Sequence, residues 1–193
     1  MNTDDLKWGA LILVFIVAGL LAWRVFRISP RLVAGNTAPE FQLNDQQGIL
    51  QRLEDYRGRW LVLYFYPKDD TPGCTREACN FRDDIHNFRA LNAEIIGISV
   101  DAAASHARFA TRYHLPFPLL SDPQGHTAAA YGALFKLGPL RVARRQTFIV
   151  TPEGRIGRVY RHVDPTRHAM EVAQALKELQ NQHLPAGLSQ PHK

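Results

Sequence analysis

The chain has 193 residues, 46% of them hydrophobic and 21% charged, with a net charge of +5. This suits one globular domain with an addition, not a disordered chain. Its two cysteines exclude a disulfide framework, and an excess of +5 without a basic block gives little support to nucleic-acid binding.

The first predicted element is "WGALILVFIVAGLLAW" (Trp8–Trp23), 16 residues without a charge, about 24 Å long as a helix. Leu6, Val25 and Phe26 extend it toward the ~30 Å hydrocarbon layer. Lys7 and Arg24 can reach the headgroups, and the bounding tryptophans fit an interfacial belt. A cleaved signal peptide would want a basic start and a small-residue site after the run. Here Asp4 and Asp5 precede it and arginines follow. One basic residue lies before the span and Arg24, Arg27 and Arg31 lie after it. The expectation is a single-pass anchor in the lipid bilayer over residues 1–28, with the main domain on the cytoplasmic face.

"SPRLVAGNTAPE" carries Pro and Gly punctuation, so residues 29–37 read as a linker. The domain is expected over 38–180. "FQLNDQQGILQRL" is a short hairpin around Gln47-Gly48. "WLVLYFY" (Trp60–Tyr66) is a buried strand. Residues from Pro72 to about Ala90 are helical, and "EIIGISV" (Glu94–Val100) is a second buried strand. "AAASHARFATRYH" is a helix ending near Leu115-Pro116. "FPLLSD" leads into a short helix in "GHTAAAYGAL". "RQTFIVTPEGRIGRVYRHV" is a hairpin turning at Pro152-Glu153-Gly154. "DPTRHAMEVAQALKELQ" is the last helix, with Asp164 as N-cap and Pro165 in its first turn. Residues 181–193 read as a loose tail. Strands alternating with helices, then a late antiparallel hairpin, give an α/β class with a mixed sheet.

Both cysteines lie in "YFYPKDDTPGCTREACNFRD" (Tyr64–Asp83). Pro72 suits the first helical position and Thr71 the N-cap, which puts Cys74 in the first turn. There the free N–H groups and the helix dipole stabilise a thiolate, the competent nucleophile. Cys79 lies five residues on. In an intact helix that step rises about 7.5 Å and turns about 140°, beyond the Cα separation of roughly 7 Å that a disulfide tolerates. A bridge between them therefore needs the helix to unwind. Two unrelated buried cysteines fit the spacing as well. A C-x-x-C dithiol does not. The eight histidines are scattered, without an adjacent ligand pair, and read as surface residues, so neither a metal nor a cofactor is expected.

This stretch resembles the active-site loop and helix of peroxiredoxins, in particular the bacterioferritin-comigratory or PrxQ subfamily. Pro67, Thr71 and Cys74 fill the Pro-x-x-x-Thr-x-x-Cys signature in order. "IIGISVDAAASHARF", "LPFPLLSD", "AAAYGA" and "RQTFIVTPEGRI" continue the similarity, over roughly Ala38 to Leu179. The resemblance implies a thioredoxin-like fold, a central mixed β-sheet flanked by helices, and thiol peroxidase activity. It implies that Cys74 attacks hydrogen peroxide or an organic hydroperoxide and becomes a sulfenic acid. Cys79 matches the resolving position, giving an intramolecular disulfide that a thioredoxin or glutaredoxin-like protein reduces. Arg145 precedes Thr147-Phe148 at the family spacing and would hold the sulfur and the peroxide oxygens. Arg144 points to the opposite sheet face by strand alternation, and Arg141 lacks the spacing. Thr71 offers either a helix cap or a hydroxyl to sulfur and peroxide. Pro67 would shield the sulfur from water or simply end the strand, and Tyr64 would line the pocket or belong to the core. The PrxQ branch suggests a monomeric domain. Two other readings of the whole protein are a membrane-tethered thiol–disulfide oxidoreductase acting on protein thiols and a binding module without chemistry.

Overall fold

The computed structural model describes residues 31–183. Its centre is a five-stranded sheet in the order β5-β4-β3-β8-β9. The strands are β3 (Trp60–Phe65), β4 (Ala93–Ser99), β5 (Leu119–Ser121), β8 (Gln146–Val150) and β9 (Ile156–Tyr160). β3, β4 and β5 run parallel, while β8 and β9 are antiparallel to their neighbours. The sheet is mixed, as the strand–helix alternation and the late hairpin require.

The all-apolar run of β3 follows from burial on both faces. Val62 and Tyr64 face one core with Phe81, Phe88, Phe109 and Leu176. Leu61, Leu63 and Phe65 face the other with Phe41, Tyr131 and Phe148. The first core lies under helices α1 (Pro72–Asp83), α2 (Ile85–Ala90), α3 (Ala103–Tyr113) and α5 (His168–His183). Gly97 is needed in β4, because a Cβ there would sit 2.7 Å from the Tyr64 ring.

Two further hairpins flank the sheet. The first, β1 (Gln42–Asn44) with β2 (Leu50–Arg52), turns where expected. Asp45 accepts the amides of Gln47 and Ile49 there, and Gly48 takes φ 79°. The second, β6 (Leu134–Leu137) with β7 (Leu140–Ala143), was not foreseen. Helix α4 is only His126–Ala130. Gly132 then takes φ 69° and the chain leaves for β6.

The helix expected over 72–90 is two helices. Asp84 breaks it at φ −97°, ψ 8°; its backbone carbonyl accepts the Asn87 amide at 3.0 Å and its carboxylate accepts the Asn87 side-chain carboxamide. Helix α5 starts one turn later than expected. Asp164 instead caps the turn before it, accepting the Thr166 amide at 2.9 Å, with its carbonyl accepting the His168 amide at 3.1 Å.

The linker expectation changes for its described residues. Leu32 and Ala38 are buried, and Gly35 and Asn36 exchange backbone bonds with Ile156 at 2.7 and 2.8 Å. An exposed strand edge carries unpaired N–H and C=O groups, and this segment satisfies those of Ile156 at the start of β9.

The expectation of a single-pass membrane protein, partnered by the bilayer and facing the cytoplasm, is corrected. Among the described residues no helix is long and apolar enough to cross a membrane. The longest of them, α5 with 16 residues, buries Val172, Ala175, Leu176 and Leu179 but carries charges on its other face. The apolar run Trp8–Trp23 lies outside the described residues.

Candidate active site

Strand β3 delivers the chain to Tyr66, and the loop from Pro67 to Thr71 carries it into α1. A buried network fixes this loop. The Asp69 carboxylate accepts the Tyr66 hydroxyl at 2.8 Å and meets His106 Nδ1 at 2.9 Å. The Asp69 amide donates to Asp101 at 3.0 Å, and His106 Nε2 faces the Leu120 carbonyl at 3.2 Å. Burial works to raise the Asp69 carboxyl, but the hydrogen bond and charge of His106 hold it below the usual range. The histidines were read as surface residues; His106 and His168 are instead fully buried.

Pro72 is the first residue of α1, and Thr71 has the extended backbone of an N-cap, φ −81°, ψ 146°. Its hydroxyl does not cap, however; it donates to the Lys68 carbonyl at 3.0 Å. Cys74 sits in the first turn, 1% exposed. Arg145, just before β8, reaches across to it, with Nη2 3.1 Å from Sγ. Its Nη1 binds Glu77, one turn further along α1. Gly73 makes room, since a Cβ there would lie 3.2 Å from Nη2. Arg144 instead lies over the Phe135 ring at 5.9 Å. Pro67 is half-buried at the exit of β3. Tyr64 is core, stacked on Tyr66 with centroids 5.4 Å apart. Cys79 is half-buried and free, in the same unbroken helix as Cys74.

Sequence reasoning missed Glu77. Its side chain has no exposure, and Oε1 has no partner among the described residues. Burial pushes its carboxyl up to about 7, against the opposing pull of Arg145. Burial also tends to neutralise Arg145, but Glu77 and the sulfur of Cys74 outweigh this and hold it charged. Nearby His168 donates or accepts at Thr147 Oγ1, 2.7 Å away, and burial with Arg145 lowers it to about 4, so it is neutral at pH 7.

The raised carboxyl has a consequence for stability. The folded protein holds a proton on Glu77 more tightly than the unfolded chain does. Glu77's stabilising contribution is therefore full below the ordinary carboxylate range and lost as pH rises through about 7. The scale is on the order of 3 kcal/mol. Urea melts of the reduced protein between pH 5 and 8 are expected to show this fall. Glu77→Gln is expected to flatten it.

The chain has matches among known proteins. The profile of the AhpC/TSA family matches residues 34–159. The chain is 41% identical over 150 residues to peroxiredoxin Bcp of Bacillus subtilis, covering 75% of this chain and 95% of that protein. It is 42% identical over 149 residues to the chloroplastic peroxiredoxin Q of Oryza sativa subsp. japonica, covering 75% and 67%. Among solved structures, peroxidoxin BcpB of Mycobacterium tuberculosis superposes with a TM-score of 0.73 at 34% identity, covering 77% of this chain and 98% of that one. Peroxiredoxin Q of Xanthomonas campestris gives 0.70 at 33%, covering 75% and 97%. With a buried cysteine opening a helix under an arginine fork, on a thioredoxin-like fold, the chain belongs to the AhpC/TSA family, in its Bcp/PrxQ peroxiredoxin group, and is a thiol-dependent peroxidase.

Proposed function

We propose that Cys74 is the residue oxidised by peroxide and Cys79 the one that resolves it. The observation that carries this is the Arg145 guanidinium 3.1 Å from a buried sulfur in the first turn of a helix. Helix N–H groups and a fixed cation both favour negative charge there. The sulfur of Cys74 attacks the nearer peroxide oxygen and the O–O bond breaks. Sulfur loses two electrons and becomes a sulfenic acid, and the departing oxygen takes a proton and leaves as water or alcohol. The Cys79 sulfur then attacks the sulfenic sulfur. An S–S bond forms, the S–O bond breaks, and the hydroxyl leaves as water with the Cys79 proton. A thioredoxin-type dithiol reduces the disulfide.

Thr71 stands at the head of the same turn. Its hydroxyl donates a hydrogen bond to the Lys68 backbone carbonyl, which leaves its lone pairs to accept from a peroxide O–H. Pro67, which has no N–H to attract water, covers the approach. The catalytic unit is residues 38–180, acting as a monomer.

The test is stopped-flow mixing of the reduced protein with H2O2, followed by mass analysis. Wild type is expected to lose two thiols per peroxide and to carry a Cys74–Cys79 disulfide. Cys79→Ser is expected to react once at an unchanged first-step rate, stay at the sulfenic acid, and fail to turn over with thioredoxin. A Cys79→Ser protein that cycles with thioredoxin at the wild-type rate would remove Cys79 from the mechanism.

A further inference from the structure

Cys74 and Cys79 belong to one unbroken helix, so resolution needs part of α1 to open. What holds α1 closed then sets how fast the sulfenic acid is resolved. Helix α1 presents two stripes at the i, i+4, i+7 spacing. Cys74, Ala78 and Phe81 form the buried one. Gly73, Glu77 and Asn80 form the other, and it faces Arg145 and the segment before α5. Pro165 Cγ would lie 3.8 Å from a Cβ on Gly73. At the far end of this stripe the Asn80 carboxamide donates to the Pro165 carbonyl at 2.9 Å and to the Thr166 carbonyl at 3.1 Å. The segment that accepts these bonds is itself braced, since Asp164 holds the Thr166 amide at 2.9 Å.

Asn80 directly follows the resolving cysteine in the chain. Any movement that carries Cys79 toward Cys74 pulls on the Asn80 backbone. We propose that Asn80 is a positioning residue, a latch that keeps α1 closed while peroxide reacts and whose release limits disulfide formation. This deepens the assignment of Cys74 and Cys79 above and rests on it. A tight latch prolongs the life of the sulfenic acid. A second peroxide then has time to oxidise it to the sulfinic acid, which the Cys79 thiol does not reverse. The latch therefore sets the balance between turnover and inactivation.

The test compares wild type with Asn80→Ala and Asn80→Asp, following the two chemical steps separately by stopped flow. Two ordinary hydrogen bonds are lost in each variant. Disulfide formation is expected to speed up about 10-fold. The peroxide concentration that inactivates half the enzyme is expected to rise by a similar factor, with the first step within about twofold of wild type. Alanine is the best helix former, ahead of asparagine. Its intrinsic effect is to slow opening, so acceleration by Asn80→Ala cannot come from helix propensity. Asn80→Asp keeps the shape but has no proton to donate, and is expected to match the alanine variant or exceed it.

Hydrogen exchange of the α1 amides in the reduced protein reads the latch without any peroxide. Protection is expected to fall in both variants. Unchanged protection, or disulfide formation at the wild-type rate in Asn80→Ala, overturns the latch and leaves the cysteine roles standing. Loss of α1 protection in a protein whose Cys74 gives no sulfenic acid would keep the latch as a helix clamp but overturn its role in resolution, together with those cysteine roles.

Discussion

Replacing Cys74 by serine is expected to abolish peroxide consumption, lowering the thioredoxin-coupled rate at least about 10⁴-fold, as loss of a covalent nucleophile does elsewhere. The oxygen of serine is far less nucleophilic than sulfur at neutral pH and gives no reversible counterpart to the sulfenic acid. The fold is expected to survive. Cys74 is buried, 1% exposed, but its sulfur already faces a hydrogen-bond donor, Arg145 Nη2. A serine hydroxyl can accept from that same group, so the site gains no unpaired polar atom, and the stability cost is about 1 kcal/mol. Peroxide consumption, sulfenic-acid trapping and a melting curve should be measured on the same preparation. Loss of the first two with the third nearly unchanged assigns the chemistry to this sulfur. Retention of wild-type turnover would falsify the assignment.

The parts of this molecule that sequence made legible are those governed by local rules. The run Trp60–Tyr66 can only be a strand buried on both faces, and its side chains alternate between two cores. The turns at Gly48 and Gly154 carry the positive φ that the hairpin reading required. Arg144 and Arg145 lie between β7 and β8, where strand alternation does not apply; the motif spacing singles out Arg145, and the structure puts it on the Cys74 sulfur and Arg144 over Phe135.

What sequence hid depends on partners far along the chain. A glutamate inside "CTREAC" looks like part of a solvated helix face. It is buried because Arg145, 68 residues away, comes back across the sheet to meet it. His106 sits in an alanine-rich helix and gives no local sign of pairing with Asp69, 37 residues earlier. The short helix expected in "GHTAAAYGAL" is α4, but its end is not legible there, because alanines favour helix and say nothing of where it stops. Gly132 and the β6–β7 hairpin stop it. The docking of residues 32–38 on β9 is likewise a matter of which edge needs covering.

Replacing Arg145 by glutamine is expected to lower kcat/KM for peroxide by about 10²–10³, the usual cost of losing a preorganised charged donor at the reacting atoms. One guanidinium serves both the Cys74 sulfur and Glu77, so its removal has two consequences that must be separated. The sulfur loses its fixed positive charge. Glu77 loses the interaction that opposes burial, so its carboxyl climbs further above about 7 and stays protonated at neutral pH. Protonation limits the damage that an unpaired buried carboxylate would otherwise cause. The double variant Arg145→Gln with Glu77→Gln removes that carboxylate. It is expected to regain most of the lost thermal stability and none of the lost kcat/KM. Arg145→Lys keeps a charge but has no fork to span both partners, and is expected to fall between, about 10–100-fold down. Arg144→Gln, next along the chain, is expected to stay within about twofold, because its guanidinium rests on Phe135 and not on the sulfur. Should Arg145→Gln and Arg144→Gln prove equally active, the electrostatic account of this site is wrong, and the sulfur owes its reactivity to the helix alone.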